Sequence, residues 1–324
     1  MPALRRFVST LMLSLVSILA WAQRTDSYPT KPVRIITGGA STVHDIATRQ
    51  LGQRLSERWG QPIVVENQPA AALTIGTGIA ARASHDGYTL LMTDRSALAV
   101  APSLYKSLSY DPVKDLTPIT LAVRMPSVLV SHPSIPAVSL KEFIDYAGRQ
   151  NQPLNFASAG VGTAGHVANE LFRTVTGVPL VNVHYKGGAG SILALLSGEV
   201  KAGVSLVGNA LTHVRAGKLR AYVVTGKARF AGAPEIPSAA ELGFPALDTE
   251  FWIGMLAPAR TPAPLLARLH REVVEVIQSP DYQAALLRVG AEAASTTPAA
   301  FADFIRTETV KWGKVVRDAG IKAE

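Results

Sequence analysis

The sequence predicts an α/β protein of two lobes, each built on a mostly parallel sheet flanked by helices, with a ligand cleft between them. Three observations carry this. A β-α-β-α-β rhythm runs over residues 33–93 and starts again near residue 127. Turns of glycine and small hydroxyl residues join strand to helix in both halves. Two apolar crossings, near 123–128 and 250–256, connect the halves. The chain has 324 residues, 48% of them hydrophobic and 17% charged, which suits about two domains on length alone. The expected division is residues 1–22 as a leader, 23–125 with 252–324 as lobe 1, and 126–251 as lobe 2.

The elements follow in order. Residues 33–37 are a β-branched strand. Val43, Ile46, Ala47, Leu51, Leu55 and Trp59 form a helical stripe that stops at Gly60 and Pro62. A strand at 63–66, a helix at 73–83, an Asp86-Gly87 turn and a strand at 89–93 complete the first unit. A connector punctuated by proline, 110–120, leads to strands 119–123 and 127–131. The second unit reads helix 140–148, strand 154–157, helix 163–176, strand 181–184, helix 191–197 and strands 202–206 and 220–225. Strand 251–257 follows. Three helices end the chain, opened by Thr261-Pro262, Ser279-Pro280 and Thr297-Pro298 as N-cap and first position.

The N-terminus has the three parts of a secretory signal peptide. Arg5 and Arg6 are basic, residues 7–20 are apolar, and Ala20-Trp21-Ala22 is a small-x-small cleavage site. The expected compartment is the periplasm. There is no cysteine, which excludes disulfides, thiol nucleophiles and Cys-ligated zinc. Net charge is +8, but the basic residues are scattered and aromatic content is 6%, so a nucleic-acid surface is not expected.

Three strand-to-helix turns share one design. The first holds Thr37, Gly38, Gly39, Ala40, Ser41 and Thr42. The second holds Ser158, Ala159, Gly160, Gly162 and Thr163. The third runs from Tyr185 through a glycine-rich stretch to Ser191. Glycine lets a ligand approach the backbone, and a helix N-terminus offers unpaired N–H groups and a positive dipole end to an anion. His44 and His166 fall in the first turns of their helices. Asp45 completes Thr42-x-x-Asp45, an aspartate version of the capping box. Arg95 and Ser96 follow strand 89–93, where an arginine can clamp a carboxylate.

Other chemistries fail on specific residues. Gly160 to Gly165 spells G-x-G-x-x-G, but the dinucleotide fingerprint needs an acid about 20 residues on, and strand 181–184 ends in His184-Tyr185-Lys186. No G-x-S-x-G or H-E-x-x-H occurs, and the histidines lack metal-ligand spacing. No catalytic role, cofactor or metal is expected.

Many ordered motifs resemble those of the tripartite tricarboxylate transporter solute-binding proteins, the Bug family. They include Tyr28-Pro29-Thr30-Lys31-Pro32, Asp45-Ile46-Ala47-Thr48-Arg49 and Gly60-Gln61-Pro62-Ile63-Val64-Val65-Glu66-Asn67. Asp86-Gly87-Tyr88-Thr89, Tyr110-Asp111-Pro112, Asn155-Phe156-Ala157-Ser158, His184-Tyr185-Lys186-Gly187 and Ala216-Gly217-Lys218-Leu219-Arg220 continue the match. The resemblance implies a type II periplasmic-binding fold that closes on a small carboxylate. It implies that residues 38–45 and 158–166 grip one carboxylate, with Asn209 nearby, and that the partner is a two-subunit membrane permease. A monomer is expected. The sequence departs from the pattern at the first turn, at residues 69–72, at Arg95 where small residues are common, and at Gly208 where an acid often precedes Asn209. These departures favour a second carboxylate on the ligand, faced by Arg95. The favoured ligand is a dicarboxylate or an aromatic carboxylate. A sensor role, docking on a signalling receptor, is an alternative compatible with the same fold.

Overall fold

The computed structural model describes residues 28–40, 42–68 and 73–322. The expected leader, Ser41 and residues 69–72 lie outside the described residues. In lobe 1, strand β1 (Val33–Thr37) leads to helix α1 (Val43–Trp59), then β2 (Ile63–Asn67), α2 (Thr74–Ala81) and β3 (Thr89–Asp94). The apolar stripe decides how α1 sits: Ala47, Leu51, Leu55 and Trp59 are buried in the lobe core. Gly60, at φ +62°, ends the helix, and its N–H returns to Ser56 O. A π-helical turn (Ser96–Val100) and the short α3 (Ala101–Leu104) follow β3.

Strand β4 (Leu116–Met125) belongs to the first sheet, and β5 (Ser127–Ser131) to the second. Pro126 alone separates them, so the crossing is one residue long. Lobe 2 then runs α4 (Leu140–Gly148), β6 (Leu154–Ser158), α5 (Ala164–Thr176), β7 (Leu180–His184), α6 (Gly187–Ser197), β8 (Ala202–Leu206), α7 (Val207–Arg215) and β9 (Arg220–Thr225). Strand β10 (Phe251–Pro258) returns to the first sheet. The chain closes with α8 (Ala263–Ile277), α9 (Pro280–Arg288), β11 (Glu292–Ala293) and α10 (Pro298–Asp318).

The sheet orders are β11-β4-β10-β3-β1-β2 and β7-β6-β8-β5-β9. The two-lobed α/β expectation holds, but the sheets are mixed rather than mostly parallel. Among the named strands, parallel pairs are β1–β2, β1–β3, β6–β7 and β6–β8. The crossing strands pair antiparallel: β10 with β3 and β4, and β5 with β8 and β9. A strand that arrives from the other lobe enters without a crossover helix, so the rule that forces βαβ units to be parallel does not act on it.

Two elements differ from the sequence expectation. Helix α7 was not anticipated, because Val207-Gly208-Asn209 carries no helix-start signal of its own. Helix α6 begins at Gly187 rather than Ser191, so most of the glycine-rich stretch is its first turn. At the C-terminal helices, Thr297 caps α10 by accepting from Ala300 N, as expected. Thr261 and Ser279 instead donate to Pro258 O and Val276 O.

Buried polar groups tie the layers together. Glu308 of α10 accepts from Trp252 Nε1 (2.9 Å) and from Trp312 Nε1 (2.8 Å), joining β10 to α10. Asn169 of α5 donates to Ala157 O (3.0 Å) and accepts from Val204 N (2.8 Å). Strands β6 and β8 share only the Phe156–Ala202 register pair, so Asn169 satisfies backbone groups where the two strands part.

Candidate functional site

The parallel strands of both lobes end toward one cavity of about 690 Å³. Its wall is built from helix beginnings. Thr42, Val43, His44 and Ile46 come from the start of α1, and Thr163, Ala164 and Gly165 from the start of α5. Gly188, Ala189 and Ser191 open α6, and Gly208 and Asn209 open α7. Four N-termini therefore face one space, and their dipoles and first-turn N–H groups favour an anion there.

At α1 and α5 the caps are turned away. Thr42 and Thr163 occupy the N-cap positions with extended backbone, yet neither side chain accepts from its helix. Thr42 Oγ1 donates to Gly39 O at 2.6 Å, and its N–H reaches the same oxygen at 3.3 Å. Thr163 Oγ1 donates to Gly160 O at 2.7 Å, and its N–H reaches that oxygen at 3.3 Å. Each hydroxyl tightens its own turn and does not accept from the N–H groups of the helix it opens. The capping box expected at Thr42 and Asp45 is therefore not formed by Thr42. Asp45 Oδ1 instead accepts from Arg49 Nε (2.8 Å) and Asn67 Nδ2 (2.9 Å). Asn67 also donates to Gly38 O, which fixes the first turn to β2.

The side chains behind the two turns differ. His44 Nε2 lies 2.8 Å from Asp94 Oδ2, off the axis of a well-directed hydrogen bond. Asp94 Oδ1 accepts from Ser96 N (2.7 Å) and Ala97 N (3.3 Å), so this buried acid opens the π-helical turn. In lobe 2, Gly162 N donates to His166 Nδ1 at 3.1 Å. The His166 and His184 rings meet edge to face, with centroids 4.6 Å apart. Burial, and then the neighbouring His184, push the His166 pKa down to about 4, so it is a neutral acceptor at pH 7. Ser158 Oγ lies 2.6 Å from His184 Nδ1.

The expected site residues separate into three groups. Thr42, His44, Ser96, Ser158, Ala159, Thr163 and Asn209 line the cavity. Thr37, Gly38, Gly39, Ala40, Asp45, Gly160, Gly162 and His166 shape or brace the turns from behind and are not on its wall, and Ser41 lies outside the described residues. Tyr185 also stands off the wall, and its hydroxyl donates to Glu199 Oε1 at 2.8 Å.

Arg95 is the clear correction. It does not face the cavity. Its side chain is fully buried and donates from Nη1 to Thr249 O (3.0 Å) and Glu250 O (3.2 Å), at the second crossing between lobes. The guanidinium lies over Trp312, 4.0 Å from the ring centroid, with Phe251 at 5.3 Å. Burial lowers its pKa to about 10, which leaves it charged at neutral pH. A ligand in the cleft has no route to it in this arrangement.

The wall also contains residues that sequence reasoning missed. Arg288 ends α9, Phe251 starts β10, and Ser205 and Leu206 end β8. Only Ser205 and Leu206 carried a signal, as the carboxyl end of a strand; nothing local marks Arg288. No group of three or more metal-ligating side chains is found among the described residues. No helix among them is long and apolar enough to cross a membrane.

Comparison with known proteins agrees with this architecture. The sequence profile of the family described as "Tripartite tricarboxylate transporter family receptor" matches residues 47–321. The protein BugT of Bordetella pertussis is 35% identical over 301 residues, covering 92% of each chain. The structure of R. palustris Rpa4515 with adipate is similar at a TM-score of 0.80 and 30% identity, over 91% of this chain and 99% of that one. MatC from Rhodopseudomonas palustris with bound malate gives 0.75 and 29%, over 89% and 100%. The chain therefore belongs to the tripartite tricarboxylate transporter receptor family of periplasmic solute-binding proteins.

Proposed function

We propose that the cleft captures a small carboxylate, with dicarboxylates and aromatic carboxylates favoured, and that the protein delivers it to a two-subunit permease. The observation that carries this reading is the convergence of four helix N-termini on one cavity, with the Thr42 and Thr163 hydroxyls turned away from the helix ends. A carboxylate is a small anion that can accept from several such N–H groups at once. The cavity volume, about 690 Å³, is in the range of small-molecule pockets. Asp94, the one acid among the described wall residues, is occupied by two amides and the edge of His44, which limits its repulsion of an anion. The ligands named for two similar structures, adipate and malate, are both dicarboxylates.

A thermal-shift and calorimetric panel on the chain from residue 23 tests it, using adipate, malate, phthalate, benzoate and aspartate. At a thousandfold excess over Kd, a ligand stabilises the folded state by about 4 kcal/mol, which raises the melting midpoint by several degrees. At least one carboxylate is expected to do so. No shift with any of them at millimolar concentration overturns the proposal.

A further inference from the structure

We propose that Arg288 reads a second, distal carboxylate, so that the cleft selects dianionic over monoanionic ligands; this rests on the carboxylate reading above. Arg288 is the only lysine or arginine on the described cavity wall. It is exposed, and among the described residues no hydrogen bond or ion pair engages it. An arginine with its fork free is suited to a carboxylate, which it grips through two parallel N–H bonds.

The packing around it explains how a residue so far along the chain reaches the cleft. Gly208 opens α7 in lobe 2, and Val289 and Gly290 follow α9 in lobe 1. A Cβ added to Gly208 would stand 2.3 Å from Val289 O, and one added to Gly290 would stand 2.3 Å from Gly208 Cα. The two backbones touch because neither residue has a side chain. Gly188 packs against the Asn209 side chain, where an added Cβ would lie 2.8 Å from Nδ2. Arg288, Val289, Gly208, Asn209 and Gly188 thus form one corner of the wall. His44, Asp94 and Phe251 form another, with the His44 and Phe251 rings 6.1 Å apart. Arg288 belongs to lobe 1 by sequence and meets the ligand space beside the first turn of a lobe 2 helix, so it can contribute fully only when the lobes are together. The other arginine that sequence reasoning favoured, Arg95, is committed to Thr249 O and Glu250 O and is not available.

Arg288 also sits in the last turn of α9, where a cation is favourable for the helix itself. The experiment separates the two roles. Linear dicarboxylates from malonate to pimelate, each paired with the monocarboxylate of equal carbon number, are titrated into wild type, Arg288→Ala and Arg288→Lys. Melting midpoints without ligand are recorded for all three. Wild type is expected to prefer the dicarboxylate of at least one pair. Arg288→Ala should weaken that dicarboxylate by about 10- to 100-fold and its monocarboxylate partner by less than about threefold. Arg288→Lys, which keeps the charge and loses the fork, should fall between. Equal losses for both ligands, an unchanged dicarboxylate affinity, or a wild-type preference for the monocarboxylates overturns the assignment while leaving carboxylate capture standing. Wild type that binds neither class overturns the assignment, and if phthalate, benzoate, malate and aspartate also fail to bind, carboxylate capture falls with it.

Discussion

The turns that open α1 and α5 are the same device built twice and braced in opposite ways. Thr42 and Thr163 each send a backbone N–H and a hydroxyl to the carbonyl three residues back, at nearly equal distances. Each turn is followed by a histidine, at position 44 or 166. In lobe 1 that histidine stands on the cavity wall against a buried acid. In lobe 2 it withdraws behind the turn, accepts from Gly162 N and is held neutral by burial beside His184. The backbone geometry that presents N–H groups therefore does not depend on the charge behind it. Glycine and threonine set the shape, and the supporting side chains differ: His166 Nδ1 accepts a backbone N–H, whereas His44 Nε2 rests against Asp94 without a well-directed hydrogen bond.

The largest test removes the acid that only lobe 1 uses. Asp94→Ala deprives Ser96 N and Ala97 N of their buried acceptor, and should cost about 2–3 kcal/mol by urea unfolding. A cost near zero would mean that lobe 1 does not need its acid, and the contrast with lobe 2 would vanish.

The second test uses pH. His166 titrates near 4 in the folded protein against an ordinary value of 6.5. Between those values the unfolded chain binds the extra proton, so stability conferred by the neutral ring is full above about pH 6.5 and is lost as pH falls toward 4. The loss should reach about 2 kcal/mol at pH 4.5, less than the whole shift implies because that pH still lies above the folded value. Unfolding free energies of wild type and His166→Gln at pH 4.5 and 7.5 isolate this contribution, since other titrating groups are common to both. Equal pH dependence in the two proteins would remove His166 from its role as the neutral brace.

The smallest test compares the turns directly. Thr42→Val and Thr163→Val each lose one hydroxyl bond to a glycine carbonyl and should cost about 1 kcal/mol. The turns sit in different lobes, so the double variant should be additive within about 0.5 kcal/mol. A cost confined to one of the two would show that the matched geometry hides unequal loads.

Much of this was legible locally. The β-branched run 33–37, the stripe that ends at Trp59 and Gly60, and the glycine turns before α1 and α5 announce their elements through periodicity and backbone preference. The same signals placed Thr42, Ser158 and Thr163 where a cavity wall later appeared. Local signals failed where neighbours distant in sequence decide. Strand β10 reads as an apolar strand, but its antiparallel direction follows from where the chain re-enters the sheet. Helix α7 carries no start signal, and its buried Val207 and Ala210 share one apolar cluster with Val128 of β5 and Val224 of β9.

The sequence by itself determined the two-lobed α/β plan, the strand-to-helix turns and their suitability for an anion, because each depends on residues within a few positions of one another. Only the tertiary structure decided which arginine stands in the cleft. Arg95 follows a strand that ends at the cavity, yet it is drawn under the crossing by Thr249 O, Glu250 O and the face of Trp312. Arg288 lies at an unremarkable helix end, yet the contact between Gly208 and Gly290 brings that end to the wall. A charged side chain's direction is set by the carbonyls, rings and backbones packed around it, and here those come from parts of the chain far away in sequence.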